Sequence, residues 1–470
     1  MQNNGLRKGL FICLCLLLAV GCSTYYQQNL EYQENIYAED FKEANRILEK
    51  TRKKAGSRNA LLFQLEKGYI LSRLNFPDSA NTYFLQADRT MDDAHTQTGS
   101  EILALVTNPM MKPYKAEEVE KILLHYYLAL NFIKLNNFDA ARVECRRIEL
   151  TLQTLSDKYP NQHRYRCDAF AQMVSGLLYE AQGELNDAFI SYRNAYECYQ
   201  TVYVKTLGTP VPQQLKQDLL RTARLNGFYS EKEAYEKEWG IKENEISSKK
   251  AELILFWNNG LGPIKAENSI LFTMLPGAGG IVNFTNEEYG MTFPFYLPQD
   301  PNEKVALSRV QVVRVAFPKY VARPARFSEA CVRTDSGCIS FELGEDVTAI
   351  AFKTLEDRML RELGNALLRL AVKKGIEYGL REQDPTVGAL AGIANAFTEK
   401  ADTRNWQTLP GNIQYLRLPL DTGNHTLYFD KKGNGKVVTD TLFIHLKKNE
   451  IRFLDITTPE VQQPQAYPTW

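Results

Sequence analysis

The chain has 470 residues, with 56 basic side chains balanced by 56 acidic ones, and 44% of it is hydrophobic. That length exceeds the ~250–300 residues at which a single core stops growing, so at least two domains are expected. Balanced charge without long blocks of one sign argues against nucleic acid as a partner.

The chain opens with Arg7 and Lys8, an apolar run from Leu10 to Val20, and then Gly21-Cys22-Ser23-Thr24. The run is too short for a bilayer span, and small residues before a cysteine are what a lipoprotein signal peptidase cleaves behind. Residues 1–21 therefore read as a lipoprotein signal and Cys22 as the lipidated mature N-terminus, with an ordinary secretory signal as the alternative. Ala19 stands where leucine is usual. Ser23 replaces the aspartate that retains lipoproteins in the inner membrane, so an outer-membrane anchor facing the periplasm is expected. No later apolar stretch approaches the ~20 residues of a membrane helix, which leaves lipid as the expected membrane attachment.

Residues 22–240 read as helical. Gly68-x2-Leu71-x8-Ala80-x3-Phe84-x2-Ala87 matches Gly176-x2-Tyr179-x8-Ala188-x3-Tyr192-x2-Ala195 position for position, and Ala129-x2-Phe132-x8-Ala141-x3-Cys145-x2-Ile148 keeps the spacing. Small residues let two helices of a hairpin approach closely, and the large ones fill the space between hairpins. The pattern resembles the tetratricopeptide family across 59–200. The consensus tryptophan is replaced by Gln64, His125 and Gln172. The spacings from Ala80 to Ala141 and from Ala141 to Ala188 exceed the usual ~34 residues, so the array carries insertions, the larger in 88–118. Phe41 and Ala44 suggest an earlier degenerate repeat, and 213–239 a further helical pair.

The tetratricopeptide resemblance implies a partner-binding groove along the first helices. By position this groove comprises Leu62, Leu65, Tyr69 and Arg73; Leu123, Tyr126, Leu130 and Lys134; Phe170, Met173, Leu177 and Glu180. Such a face suits an amphipathic helix or an extended apolar peptide of another envelope protein. The competing reading is that the inserted segments or the second domain already cover it.

From residue 251 to 458 the pattern becomes β-rich. Leu253–Trp257, Ile281–Phe284, Val310–Phe317, Tyr415–Pro419, His425–Phe429, Thr441–Leu446 and Ile451–Ile456 are β-branched or aromatic runs bounded by turn residues. An antiparallel sandwich is the expected closure. Residues 345–397 interrupt it with a helical pair. Val347, Ala351, Leu355, Met359, Leu363, Leu367 and Ala371 form a row at four-residue spacing in the first helix, and Val387–Phe397 makes the second. Residues 459–470 read as a flexible tail. The expected fold is thus multidomain α+β, a tetratricopeptide-like helical solenoid followed by a sandwich with an inserted helical pair.

The stretch Ala401-Asp402-Thr403-Arg404-Asn405-Trp406-Gln407-Thr408-Leu409-Pro410 resembles the C-terminal motif of a family of uncharacterised bacterial envelope lipoproteins with a lipobox and tetratricopeptide-like helices. The resemblance extends to LFWNNGLGPIK near residue 255 and to Glu345-Asp346, and it implies an accessory role in outer-membrane assemblies. In a strand, Asp402, Arg404 and Trp406 would share a face and form a polar-aromatic patch for a sugar or peptide. The structural alternative is an Arg–Asp pair locking the crossover from helix to sheet, with Trp406 in the core.

No nucleophile elbow, Ser-x-x-Lys, His-Glu-x-x-His or phosphate loop occurs. The acid pairs Glu287-Glu288 and Glu345-Asp346 read as a loop and a helix N-terminus. No catalytic residue, metal or cofactor is expected. After Cys13 and Cys15 leave with the signal and Cys22 is lipidated, five cysteines remain. Cys167 precedes the first helix of the last clear repeat and Cys198 closes the second, so a hairpin brings them within bridging range. Cys331 and Cys338 would meet across a four-residue loop, whereas a two-residue turn at Asp335-Ser336 would misalign them. Cys145 should be a buried thiol. The leading reading is a non-enzymatic, lipid-anchored periplasmic scaffold or assembly protein, and the rival is a periplasmic glycan-binding or glycan-cleaving protein acting through the β-rich half.

Overall fold

The computed structural model describes residues 25–96, 109–158, 167–244, 250–276, 281–296, 311–334, 337–383 and 400–462. The signal segment with Cys22, the second insertion helix at Val387–Phe397 and the chain beyond residue 462 lie outside them.

After a short helical turn at Tyr25–Gln28, five helical hairpins follow: α1 (Leu30–Tyr37) with α2 (Phe41–Ala55), α3 (Ala60–Arg73) with α4 (Pro77–Thr96), α5 (Glu118–Lys134) with α6 (Phe138–Lys158), α7 (Ala169–Ala181) with α8 (Leu185–Cys198), and α9 (Gln213–Leu225) with α10 (Tyr229–Trp239). Each pair is joined by a three-residue turn whose middle residue is left-handed: Glu39, Asn75, Asn136, Gly183 and Gly227, with φ between 54 and 77°. Asn and Gly tolerate that region best, so this turn is a second repeat signal beside the Gly/Ala spacing.

Seven residues before the turn residue stands Gly68, Ala129 or Gly176, and nine after it Phe84, Cys145 or Tyr192. Gly68–Phe84 and Gly176–Tyr192 are contact pairs. A Cβ on Gly68 would meet the Phe84 ring at 2.6 Å. In the outermost hairpins the small position is taken by Tyr32 and Leu220, which is why the pattern fades there. Cys167 and Cys198 are disulfide-bonded across the third of the clear repeats, Cα atoms 6.1 Å apart. Cys145 is buried and unbridged, and burial pushes its thiol up to about 12.

Among the described residues the remaining chain supplies twelve strands: β1 (Ala251–Asn259), β2 (Ile264–Pro276), β3 (Ile281–Asn286), β4 (Met291–Tyr296), β5 (Gln311–Val321), β6 (Glu329–Thr334), β7 (Gly337–Ser340), β8 (Glu342–Glu345), β9 (Asn412–Leu420), β10 (Gly423–Gly433), β11 (Lys436–Leu446) and β12 (Ile451–Thr458). They form three four-stranded sheets with orders β12-β1-β9-β8, β11-β10-β6-β7 and β4-β3-β2-β5. Pairing is antiparallel except between β1 and β12, which run parallel. This corrects the expectation of antiparallel pairing throughout. The first and last strands of this half have the rest of it between them, which provides the long crossover that parallel pairing needs.

In the first sheet both faces are buried, so β1 reads as the unbroken run Leu-Ile-Leu-Phe-Trp. Leu253, Leu255 and Trp257 share a core with Val332, Leu427, Phe429 and Ile444 of the second sheet. Ile254 and Phe256 point the other way, into the helical core. In the second sheet the β6–β7 hairpin pairs Thr334 with Gly337. With that register the Cys331–Cys338 bond still forms, contrary to expectation. Cys338 stands two residues from Ser340, the direct partner of Cys331, so the two sulfurs meet diagonally on one face.

The inserted helix, α11 (Val347–Gln383), spans 37 residues. Asp346 caps it, accepting from the Ala349 amide at 2.8 Å. Its apolar row serves two cores in succession. Val347, Ile350, Ala351 and Leu355 pack into the helical core, while Leu363, Ala366, Leu367, Leu370 and Ala371 pack onto the third sheet. Met359 lies between them and is exposed, breaking the continuous row expected from four-residue spacing. No helix among the described residues is long and apolar enough to cross a membrane.

Candidate functional site

The inner face of the first helices is lined as the spacing predicts, but it is not open. Leu62, Leu65, Tyr69, Leu123, Tyr126, Leu130, Phe170, Met173 and Leu177 are all buried in one core with Phe256, Ile413 and Tyr415 of the first sheet. Residues on β1 that alternate with the Trp257 face meet the helices one by one. Phe256 packs edge-on to Phe170, centroids 5.9 Å apart. Asn258 accepts a hydrogen bond from the Tyr126 hydroxyl at 3.3 Å. The expectation that this groove receives another protein is therefore corrected. Its occupant is the chain's own sheet.

The cations at the groove's edge have the same fate. Arg73 and Lys134 converge on Asp455 of β12, at 2.5 and 2.8 Å. Burial alone would raise the Asp455 carboxyl, yet Arg73 and Lys134 outweigh it and hold the group well below the usual carboxylate range. Glu180 is matched by Arg417 of β9 and Arg221 of α9. Sequence reasoning singled out Arg73, Lys134 and Glu180 but had no signal for their partners, which lie 237 or more residues away for the pairs to β9 and β12.

The Asp402–Arg404–Trp406 segment occupies the remainder of the groove. It is an irregular extended stretch and not a strand, so the three side chains do not share a face. Asp402 and Arg404 do pair, Nη2 to Oδ2 at 2.6 Å. Nε also donates to Asp402, to Oδ1 at 2.8 Å, and the remaining contacts of Arg404 go to the helical half: Nη1 to Asn59 Oδ1 and to the Lys112 carbonyl, both at 3.0 Å, and Nη2 to the Pro109 carbonyl at 3.2 Å. Arg404 is 1% exposed and presents no surface to a ligand. Its planar fork closes the interface between the 109–112 insertion and the β-rich half.

Trp406 enters the helical core. Its ring packs 5.8 Å from Phe84 and 5.6 Å from Tyr127, centroid to centroid, and its indole N–H donates to Thr408 Oγ1 at 2.8 Å. Phe84 is the large residue that faces Gly68, so the repeat motif and the C-terminal motif meet at one ring. Two buried carboxylates from adjacent hairpins clamp the backbone here. Glu120 Oε1 accepts from the Trp406 amide at 2.7 Å, and Glu66 accepts from the Gln407 amide at 3.1 Å and the Thr408 hydroxyl at 2.6 Å. Burial, then the neighbouring Glu117, pushes Glu120 up to about 7. Burial likewise raises Glu66. Both acids hold backbone N–H groups that would otherwise be orphaned in the core.

No family model matches this chain, and no curated protein matches its sequence. Solved structures similar to part of it include MamA, at TM-score 0.28 and 16% identity over 44% of this chain and 90% of that one. BtubC from P. vanneervenii aligns at TM-score 0.33 and 15% identity, covering 47% and 83%. A Podosopora anserina kinesin light chain with nearly identical TPR-like repeats aligns at TM-score 0.30 and 15% identity, covering 45% and 90%. These overlaps are loose. The TPR-like character of the N-terminal half stands on its hairpins, turns and Gly–aromatic contacts.

Proposed function

We propose that the protein is a non-enzymatic scaffold or assembly factor of the bacterial envelope, tethered by lipid at Cys22 to the outer membrane, facing the periplasm, and binding another envelope protein. The observation that supports this reading is the internal use of the C-terminal motif, of the groove's charged residues and of the buried acids beside them. Asp402, Arg404, Trp406, Glu66, Glu120 and Glu180 all hold the two halves together. Among the apolar side chains that remain outward are Leu271 and Val312 on the third sheet, 60% and 67% exposed. They are diagonal neighbours on one face, since Thr273 pairs with Val312 and Leu271 with Arg314. A partner therefore docks on the sheet's outer face and not in the repeat groove.

Affinity purification of the full chain from detergent-solubilised envelopes tests this. A stoichiometric protein partner that is lost in Leu271→Lys/Val312→Lys, with unfolding unchanged, is expected. Retention on peptidoglycan with no protein partner would replace the scaffold by the glycan-binding reading. For the anchor, Cys22→Ser should leave the protein unprocessed or soluble, and fractionation of the wild type with the inner membrane would overturn the location.

A further inference from the structure

The second sheet turns one face to the core and the other to solvent. Leu427, Phe429 and Ile444 point inward, so the residues that alternate with them on β10 and β11 point out. Two of these are aromatic. Tyr428 is 42% exposed and Phe443 80%. Tyr428 pairs with Thr441 and Thr426 with Phe443, which makes the two rings diagonal neighbours on one flat face.

Fixed polar groups stand at both ends of this aromatic pair. Beside Tyr428, the Arg333 guanidinium of β6 lies 5.2 Å from the ring centroid and donates twice to Asp430, from Nε at 3.0 Å and from Nη2 at 2.9 Å. The Thr439 hydroxyl donates to the same carboxylate at 2.6 Å. Beside Phe443, His445 Nδ1 lies 2.8 Å from Asn424 Oδ1. The Cys331–Cys338 bond ties the hairpin that carries Arg333. Charges on this face close on one another, Arg333 on Asp430 and Lys432 on Glu329 at 3.3 Å. The face therefore complements a ligand without net charge.

A protein contact centres on an apolar cluster that the partner seals from water. Here hydroxyls surround the rings, and the exposed aliphatic Val437 of β11 stands beyond Thr439 and Thr441. A sugar ring has the matching pattern, with C–H groups on its faces and hydroxyls around its rim. It stacks on an aromatic ring while its rim meets hydrogen-bonding side chains.

We propose that the outer face of the second sheet binds a neutral glycan chain, with sugar rings stacked on Tyr428 and Phe443 and rim hydroxyls meeting Arg333 and Asp430. This site is separate from Leu271 and Val312 on the third sheet.

Retention of the detergent-solubilised full chain on chitin, cellulose and starch tests the site. Binding to at least one of them is expected, competed by the matching soluble oligosaccharide and weakened at least tenfold in Tyr428→Ala/Phe443→Ala. Tyr428→Phe keeps the stacking surface and should keep most of the binding. Phe443→Ser alone, at the more exposed ring, provides the reading if the double variant does not fold. Leu271→Lys/Val312→Lys should lose the protein partner and keep the glycan, so the two readings fail separately. No retention on any of the three, or retention that survives loss of both rings, overturns the proposal. So does a fall in sedimenting mass on Phe443→Ser, which would make this face a contact between two copies of the chain.

Discussion

Arg417 of β9 reaches across the interface to Glu180 of α7, its two terminal nitrogens donating to the two carboxylate oxygens at 2.8 and 3.0 Å. Arg221 donates to the same carboxylate at 2.9 Å, and Arg417 also contacts Asp218 and Glu252. Arg417 has no exposed side-chain surface. Removing one member of such a network strands the others in a low-dielectric site, at a typical cost of ~3–5 kcal/mol. Arg417→Leu is therefore expected to lower stability by about that amount in urea unfolding. A loss below ~1 kcal/mol would mean that Arg221 alone neutralises the cluster.

Glu120 gives stability an unusual pH dependence. Its folded carboxyl titrates near 7 against an ordinary 4.5, so the folded state binds more protons between those values. Stability should fall as pH rises from about 4.5 to about 7, by up to ~3 kcal/mol at ~1.4 kcal/mol per unit, and then level off. Glu180, Glu117 and Asp455 act oppositely. Their folded values are depressed, so their contribution is complete above the unfolded carboxylate range and is lost as pH falls below that range through the folded values. Denaturant midpoints measured from pH 4 to 8 should peak near 5. Glu120→Gln should reduce the decline on the alkaline side, leaving the part that raised Glu66 contributes, and should leave the acid limb.

The helical half was legible because its signals are local. Gly68 and Phe84, or Gly176 and Tyr192, are sixteen residues apart in sequence and in contact in the fold. The β-rich half was legible where burial is two-sided, as in β1, and illegible where it is not. β2 begins Ile-Lys-Ala-Glu-Asn-Ser, too polar to read as a strand, and β4 carries Pro294, tolerated because β4 is a sheet edge. The groove residues were found but their occupant was not, because sequence spacing carries no information on a contact such as Arg73 to Asp455 across 382 positions. Arg404 and Trp406 stood out by type; the reading of an Arg–Asp lock with Trp406 in the core describes them, and the strand reading does not. Their surroundings are set by the helices they enter.

The two disulfides should differ in weight. The Cys167–Cys198 bond closes 31 residues and the Cys331–Cys338 bond closes 7. In the chain-entropy model those loops correspond to ~3–4 and ~2–2.5 kcal/mol. Cys167→Ser/Cys198→Ser should thus lower the denaturation midpoint more than Cys331→Ser/Cys338→Ser. Alkylation after denaturation without reductant should label Cys145 alone among the five cysteines beyond Cys22. Labelling of all five would remove both bonds from the account.

Gly176 supplies the sharpest test of the repeat packing. A Cβ there would sit 2.5 Å from the Tyr192 ring, closer than any real contact permits. The ring has nowhere to go. Tyr192 is fully buried, and its hydroxyl donates to Glu180 at 2.8 Å, the carboxylate that also holds Arg417. Displacing the ring therefore strains the interface between the two halves as well as the hairpin. Gly176→Ala should cost at least the ~1–3 kcal/mol typical of overpacking, and Gly176→Leu should unfold the array. The cause is separable by a double-mutant cycle. Tyr192→Leu alone loses core contacts and the bond to Glu180, but it makes room for the new methyl, so Gly176→Ala on that background should cost much less than on the wild type. Strictly additive losses would show that the glycine is needed for helix geometry and not for the approach of Tyr192.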